Sequence, residues 1–211
     1  MSDDEKTRVV LATTNRGKIR ELADSLAAHG VEVLSLTDFP GMGEIEENGA
    51  TFEENALIKA RAVARATGLV AVADDSGLMV DALGGAPGVF SARYSDDWEL
   101  LPGESRDRRN MRKLLHVMEN VADAERGCRF VTCMAAVRPD GRELTVKGEW
   151  RGRLLREPSG ENGFGYDPVF FDPEIGTSAA HLTTEQKNAR SHRGKALRAL
   201  MAEWAAFMGK R

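Results

Sequence analysis

Short apolar runs alternating with stretches of helical periodicity constrain this chain most. Val9-Val10-Leu11-Ala12 is a run without polar alternation, which suits a strand covered on both faces. Behind it, Ile19, Leu22 and Leu26 recur at the spacing of one helix face. The pattern predicts a second strand over Val31 to Leu36, then an acidic, glycine-rich loop over Gly41 to Gly49. An Ala-rich helix over Phe52 to Ala66 and a buried strand over Leu69 to Ala73 come next, the strand ending in a turn at Asp74-Asp75-Ser76-Gly77. This β-α-β-loop-α-β order is the mark of an α/β protein, because parallel strands need crossover connections.

The middle of the chain has a different pattern. Gly84-Gly85-Ala86-Pro87-Gly88 is rich in turn formers, and Met111, Leu114, Leu115, Met118 and Val121 mark an amphipathic helix. Phe130 to Val137 reads as a strand, and Pro139-Asp140-Gly141 as a hairpin turn. Glu143 to Trp150 alternates as a half-exposed antiparallel strand, with Leu154-Leu155 extending the sheet. Val169-Phe170-Phe171 is a further short strand. Thr183 and Gln186 form a capping box, and Ser191 caps a last helix. That helix has a core face of Ala196, Leu197, Leu200, Trp204 and Phe207 or Met208. The expected fold class is α/β: an elongated mixed sheet with helices on both sides, in two lobes with a cleft between them. No linker or repeat divides residues 1–211, so one domain is expected.

Charge narrows the function. Lys and Arg number 29 against 33 Asp and Glu, a net charge of −4, which argues against coating a nucleic-acid polymer. A small phosphate ligand needs only local positive potential. No apolar stretch approaches the ~18 residues that span a bilayer, and Met1 to Arg8 does not read as a signal peptide. Cys128 and Cys133 lie in an apolar run with no metal-knuckle spacing, as buried thiols in a reduced compartment do. A cytoplasmic protein is expected. Glycine is abundant, 21 residues in short clusters, where backbone turns or approaches a ligand.

Five segments carry candidate chemistry. Thr13-Thr14-Asn15-Arg16-Gly17-Lys18 runs from a buried strand into a helix start, where free backbone N–H groups favour an anion. It is no Walker A loop: Ala12 stands where the first Gly belongs, and Ile19 follows the lysine. A plain capped helix is the alternative. Asp74 and Asp75 sit at the carboxyl edge of the sheet, where open α/β sheets bind ligands. Adjacent carboxylates repel unless a cation such as Mg²⁺ lies between them; the alternative is a surface turn with Asp75 capping. Neighbouring strand residues face opposite ways, so a shared metal requires the turn at Gly77. Glu44, Glu46 and Glu47 of the acidic loop could add a carboxylate, or remain solvated. Gly163-Phe164-Gly165-Tyr166-Asp167 sets two aromatics and an acid among glycines, either a platform for a planar base or an aromatic corner of the core. Lys187 to Lys195, with His192 and Arg193, joins a basic cluster to a helix start, either a place for an anion or a keto oxygen or a solvated helix start. Arg106-Asp107-Arg108-Arg109 reads as a solvated face, and His29, His116 and His181 as structural or surface residues.

In this order, and with Glu46-Glu47-Asn48-Gly49, Thr51 to Ala56, Gly84 to Gly88, Ser91-Ala92-Arg93-Tyr94 and Ser191-His192-Arg193-Gly194, the motifs resemble the inosine/xanthosine triphosphate pyrophosphatase family from about Val9 to Leu200. The resemblance implies a two-lobed mixed α/β fold, a homodimer, and Mg²⁺-dependent cleavage of ITP, dITP and XTP to monophosphate and pyrophosphate. It implies that Thr13, Thr14, Asn15, Arg16, Gly17 and Lys18 hold the triphosphate. Asp75 would be proton acceptor and metal ligand, Glu46 a second ligand, and Ser76 a substrate contact. Phe164, Gly165, Tyr166 and Asp167 would form the base-side loop, joined by Lys187, His192 and Arg193. Thr14 and Asn48 depart from the commoner family residues. The alternatives are a related pyrophosphatase for pyrimidine or modified nucleotides, and a non-enzymatic nucleotide sensor, which would not need Glu46 and Asp75.

Overall fold

The computed structural model describes residues 7–14, 19, 23, 26, 30–43 and 45–209. Seven strands form one sheet: β1 (Arg8–Leu11), β2 (Glu32–Ser35), β3 (Val70–Val80), β4 (Gly127–Val137), β5 (Glu143–Leu154), β6 (Phe170–Asp172) and β7 (Thr177–Ser178). Their order is β2-β1-β3-β4-β5-β6-β7. β1 pairs in parallel with β2 and β3, whereas β5, β6 and β7 pair antiparallel. Four helices are described in full: α1 (Phe52–Thr67), α2 (Arg106–Val117), α3 (Thr184–Arg190) and α4 (His192–Met208). Ile19, Ala23 and Leu26 are helical as well. The expected mixed α/β sheet is what the chain forms.

The chain divides into two compact units that interleave along the sequence. One comprises the residues up to Asp75, Cys133–Lys147 and those from Ala196 on; the other comprises Ser76–Thr132 and Gly148–Lys195.

In the first unit the strand period separates two apolar clusters. Val9 and Leu11 pack with Leu26, Val72 and Leu200, Trp204 and Phe207 of α4. Val10 and Ala12 pack with Ala56, Ala60, Val63 and Ala64 of α1. Both faces of β1 are therefore covered, which is why its sequence shows no alternation. α1 starts in a full capping box between Thr51 and Glu54, and Gly68 ends it in the left-handed region at φ 66°. The alanine face lets the helix lie close to the sheet. At the other end of this unit, Arg138 and Arg142 of the β4–β5 turn donate to the Phe207 carbonyl, satisfying the end of α4.

The second unit centres on Leu78, Val80, Met111, Leu114, Phe130, Trp150 and Phe170. The rings of Phe130 and Phe170 lie 4.6 Å apart, and those of Trp150 and Phe170 lie 4.8 Å apart. α3 has the Thr183–Gln186 capping box read from sequence, and the Ser191 hydroxyl accepts the Gly194 N–H at 3.1 Å at the start of α4.

Three boundaries differ from the sequence reading. β3 does not turn at Gly77 but runs on to Val80, because Leu78 and Val80 are wholly buried and keep the strand alternating. β6 begins at Phe170, since Pro168 lacks an N–H for the ladder and Asp167–Val169 close a 3₁₀ turn instead. α2 begins at Arg106, with the Ser105 hydroxyl accepting the Arg108 N–H, so the polar Arg106–Arg109 stretch is its first turn. Cys128 and Cys133 are buried, and desolvation pushes their thiols up to about 12 and about 11.

Candidate functional site

Two acidic residues of the first unit, Glu47 and Asp75, meet at one face of α1. Asn55 and Lys59 are four residues apart, so they stack on the same side of the helix. Both are buried, against the usual exposure of such residues. Asn55 Nδ2 donates to Asp75 Oδ2 at 3.1 Å. Lys59 Nζ lies 3.7 Å from Asp75 Oδ1 and 3.0 Å from Glu47 Oε2. One buried ammonium thus serves two carboxylates, the half-buried Glu47 and the buried Asp75, and compensates the cost of taking Asp75 out of water.

The acidic loop is fastened to the same helix. The Gly49 N–H donates to Asn55 Oδ1 at 2.8 Å. A Cβ at Gly49 would stand 2.7 Å from Glu54 Cβ and 2.8 Å from Asn55 Oδ1, so only glycine fits there. Asn55 therefore joins loop and strand with its two ends.

Continuation of β3 through Ser76 corrects the expectation of a turn at this place. Asp74 and Asp75 take alternate sides of an unbroken strand, and both are buried. Asp75 is the one beside Asn55 and Lys59. Of the acidic loop, Glu47 is the residue that reaches the lysine, while Glu46 is exposed and Glu44 lies outside the described residues. Among the described residues no group of three or more His, Cys, Asp or Glu is gathered as a metal cluster. The donors present are carboxylate and amide oxygens, which suit a hard cation such as Mg²⁺ rather than a soft one. Thr13 is half-buried and Thr14 exposed at the end of β1; Asn15, Arg16, Gly17 and Lys18 lie outside the described residues.

In the second unit, the Ser76 and Thr132 hydroxyls lie 2.7 Å apart. A separate group forms around the glycine loop. Lys187 Nζ reaches Asp167 Oδ2 at 2.8 Å, both side chains being almost fully buried. The same oxygen accepts the Phe164 N–H at 2.9 Å. Burial pushes the Asp167 carboxyl above the usual range, while Lys187, the Phe164 amide and Arg193 pull against it. Lys187 Nζ lies 4.7 Å and the Arg193 guanidinium 5.1 Å from the centre of the Phe164 ring. His192 is buried and stacked on Phe130, at 4.8 Å with an interplanar angle of 14°. These residues belong to two separate sequence motifs, and the fold brings them together.

Of the two readings of this loop, Tyr166 follows the aromatic corner of the core. Its ring belongs to the core of the second unit, and its hydroxyl donates to the Ser91 carbonyl at 2.8 Å. That leaves Phe164 as the half-buried aromatic of the loop. Arg106, Asp107 and Arg108 are exposed, as the solvated face read from sequence requires, but Arg109 is half-buried and the stretch makes specific contacts. Arg109 holds Ser95 Oγ, the Trp98 carbonyl and Asp96, and Asp107 accepts the Gly165 N–H at 2.8 Å. Sequence reasoning passed over Asn55, Lys59 and Asp107. Polar residues four apart on an alanine-rich helix face were the available signal for the first two. Asp107 had none, because its partner is 58 residues away.

Known proteins resemble this chain along almost its whole length. The Ham1 family model matches residues 9–203. A protein of Nitratidesulfovibrio vulgaris named dITP/XTP pyrophosphatase is 59% identical over 96% of this chain and 98% of its own length. One of Escherichia coli strain K12 with the same name is 49% identical over 92% of this chain and 96% of its own. The solved structure of a HAM1 protein from Coxiella burnetii superposes with a TM-score of 0.84 at 40% identity, covering 95% of this chain and 99% of that one. With the family model matching nearly end to end and relatives this similar, the chain belongs to the Ham1 family.

Proposed function

We propose that this protein hydrolyses non-canonical purine nucleoside triphosphates, ITP, dITP and XTP, to the monophosphate and pyrophosphate. The observation that carries the reading is 59% identity, across 96% of the chain, to a protein named dITP/XTP pyrophosphatase. The buried Asp75–Lys59 pair, with the half-buried Glu47 on the same ammonium, supports it, since phosphoryl chemistry depends on positioning and on balancing charge.

In this reading a water attacks the α-phosphorus and passes its proton to an Asp75 oxygen. The α–β bridging P–O bond breaks, and its electron pair leaves with pyrophosphate. Asn55 holds Asp75 in one orientation, and Lys59 keeps positive charge beside it. Thr13 to Lys18 would hold the triphosphate, and Ser76 would touch the substrate. Glu46 and Asp75 would hold Mg²⁺, which neutralises triphosphate charge when bound. The Phe164–Asp167 loop, Lys187, His192 and Arg193 would read the base. A six-keto group accepts hydrogen bonds from such donors, whereas the six-amino group of adenine leaves them unsatisfied, which is a strong basis for rejection. We further propose a homodimer that works on the cytoplasmic nucleotide pool. Among the described residues no helix is long and apolar enough to cross a membrane.

The test is a panel of purine and pyrimidine nucleoside triphosphates, with and without Mg²⁺, with pyrophosphate and single phosphate measured separately. Pyrophosphate from ITP, dITP and XTP, far faster than from ATP or pyrimidine substrates, is the expected result. Asp75→Asn is expected to abolish that release while leaving the circular dichroism spectrum unchanged. Near-normal turnover in that variant would remove Asp75 from its role.

A further inference from the structure

The glycine loop is held by two carboxylates, of which only one lies within it. Asp167 accepts the Phe164 N–H at 2.9 Å from inside. The next amide, that of Gly165, donates at 2.8 Å to Asp107 Oδ2 in the first turn of α2. Gly163 and Gly165 both have positive φ, 81° and 62°, and a Cβ at Gly163 would collide with Asp167 Oδ2. Without a side chain at either glycine, the loop depends on these hydrogen bonds for its shape.

The turn of α2 that carries Asp107 is itself fixed. Asn110, buried one turn later, donates to the Ser91 and Ala92 carbonyls and accepts the Ser95 N–H. The Ser91 carbonyl also accepts the Tyr166 hydroxyl, so loop and helix share one anchor on the far side. Asp107 closes the near side. We infer that Asp107 is a positioning residue for base recognition: it fixes the Phe164–Gly165 peptide so that the Phe164 ring stays beside Lys187 and Arg193. This rests on the proposed role of the loop in reading the base. A second consequence is that the Phe164 and Gly165 amides are both occupied by carboxylates, so side chains rather than these amides contact the six-position of the purine.

Two variants and two readouts test this. Asp107→Ala removes the acceptor; Asp107→Asn keeps an oxygen there but removes the charge. Amide hydrogen exchange over residues 160–168, which needs no substrate, reads the anchor directly. Steady-state hydrolysis of ITP reads its consequence. Loss of the hydrogen-bond acceptor is expected to speed exchange in Asp107→Ala by about tenfold and to raise KM for ITP by about tenfold, with kcat changed by less than about twofold. Asp107→Asn is expected to stay near wild type in both. Unchanged exchange in Asp107→Ala overturns the anchor. Equal damage in both variants also overturns it, because charge at the start of α2, not the acceptor, would then be what matters. A wild-type chain that hydrolyses none of the purine triphosphates defeats the proposed function instead, and the exchange rates still decide whether Asp107 holds the loop.

Discussion

Replacing Lys187 by methionine tests the buried ion pair of the second unit. Lys187 and Asp167 are 8% and 4% exposed at their side chains, with nitrogen and oxygen 2.8 Å apart. Methionine keeps most of the stem and removes the charge. Asp167 then keeps only the Phe164 N–H of the two donors that share its Oδ2. Breaking one half of a buried pair costs about 3–5 kcal/mol. For a chain of this size each kcal/mol moves Tm by ~2–4 °C, so the melting point should fall by roughly 6–20 °C near neutral pH. The pH dependence is the sharper part. Burial already holds the folded carboxyl above its unfolded value, and losing the lysine raises it further. Between the two values the folded chain binds the extra proton, so stability falls as pH rises through that window and is fully present below the unfolded value. The deficit of Lys187→Met should therefore be large at pH 7.5 and shrink toward pH 5. Lys187→Met combined with Asp167→Asn should recover much of the loss at pH 7.5, because no buried charge is left alone. Calorimetric melting of the three proteins at both pH values provides the check. A single variant as stable as wild type at pH 7.5, or a deficit that grows on acidification, would refute the reasoning.

Asn55 and His192 give two further predictions. Asn55→Ala removes both the donor to Asp75 and the acceptor for Gly49, and should cost about 1–3 kcal/mol in urea unfolding. Asn55→Asp should be worse at neutral pH, since it sets a second carboxylate at the Asp75 oxygen, and the gap between the two variants should close as pH is lowered. His192→Ala should narrow the ITP-over-ATP preference in kcat/KM. A uniformly slower enzyme with the same preference would assign His192 to packing on Phe130 instead.

Much of the fold was legible because local patterns repeat it. The unbroken Val9–Ala12 run requires cover on both faces, and β1 has it from two apolar clusters. The Thr183–Gln186 box and the Ser191 cap are local hydrogen bonds, decided within a few residues. The turn expected at Asp74–Gly77 failed for the opposite reason. A glycine permits a turn but does not demand one, and burial of Leu78 and Val80 kept β3 extended. Tyr166 shows the same limit: its loop has turn chemistry, yet its ring had a place in the core and a carbonyl for its hydroxyl.

By itself the sequence determined the α/β class, the capped helices and the residue types that phosphate and base chemistry require, since each of these follows from periodicity or short-range bonding. Only the tertiary structure decided which of those residues meet. Lys59 bridges Glu47 to Asp75, Lys187 pairs with Asp167 beneath Phe164, and Asp107 reaches Gly165 across 58 residues. A buried charge is stable only where a partner from elsewhere in the chain compensates it, and that partnership is set by packing, which has no local signature.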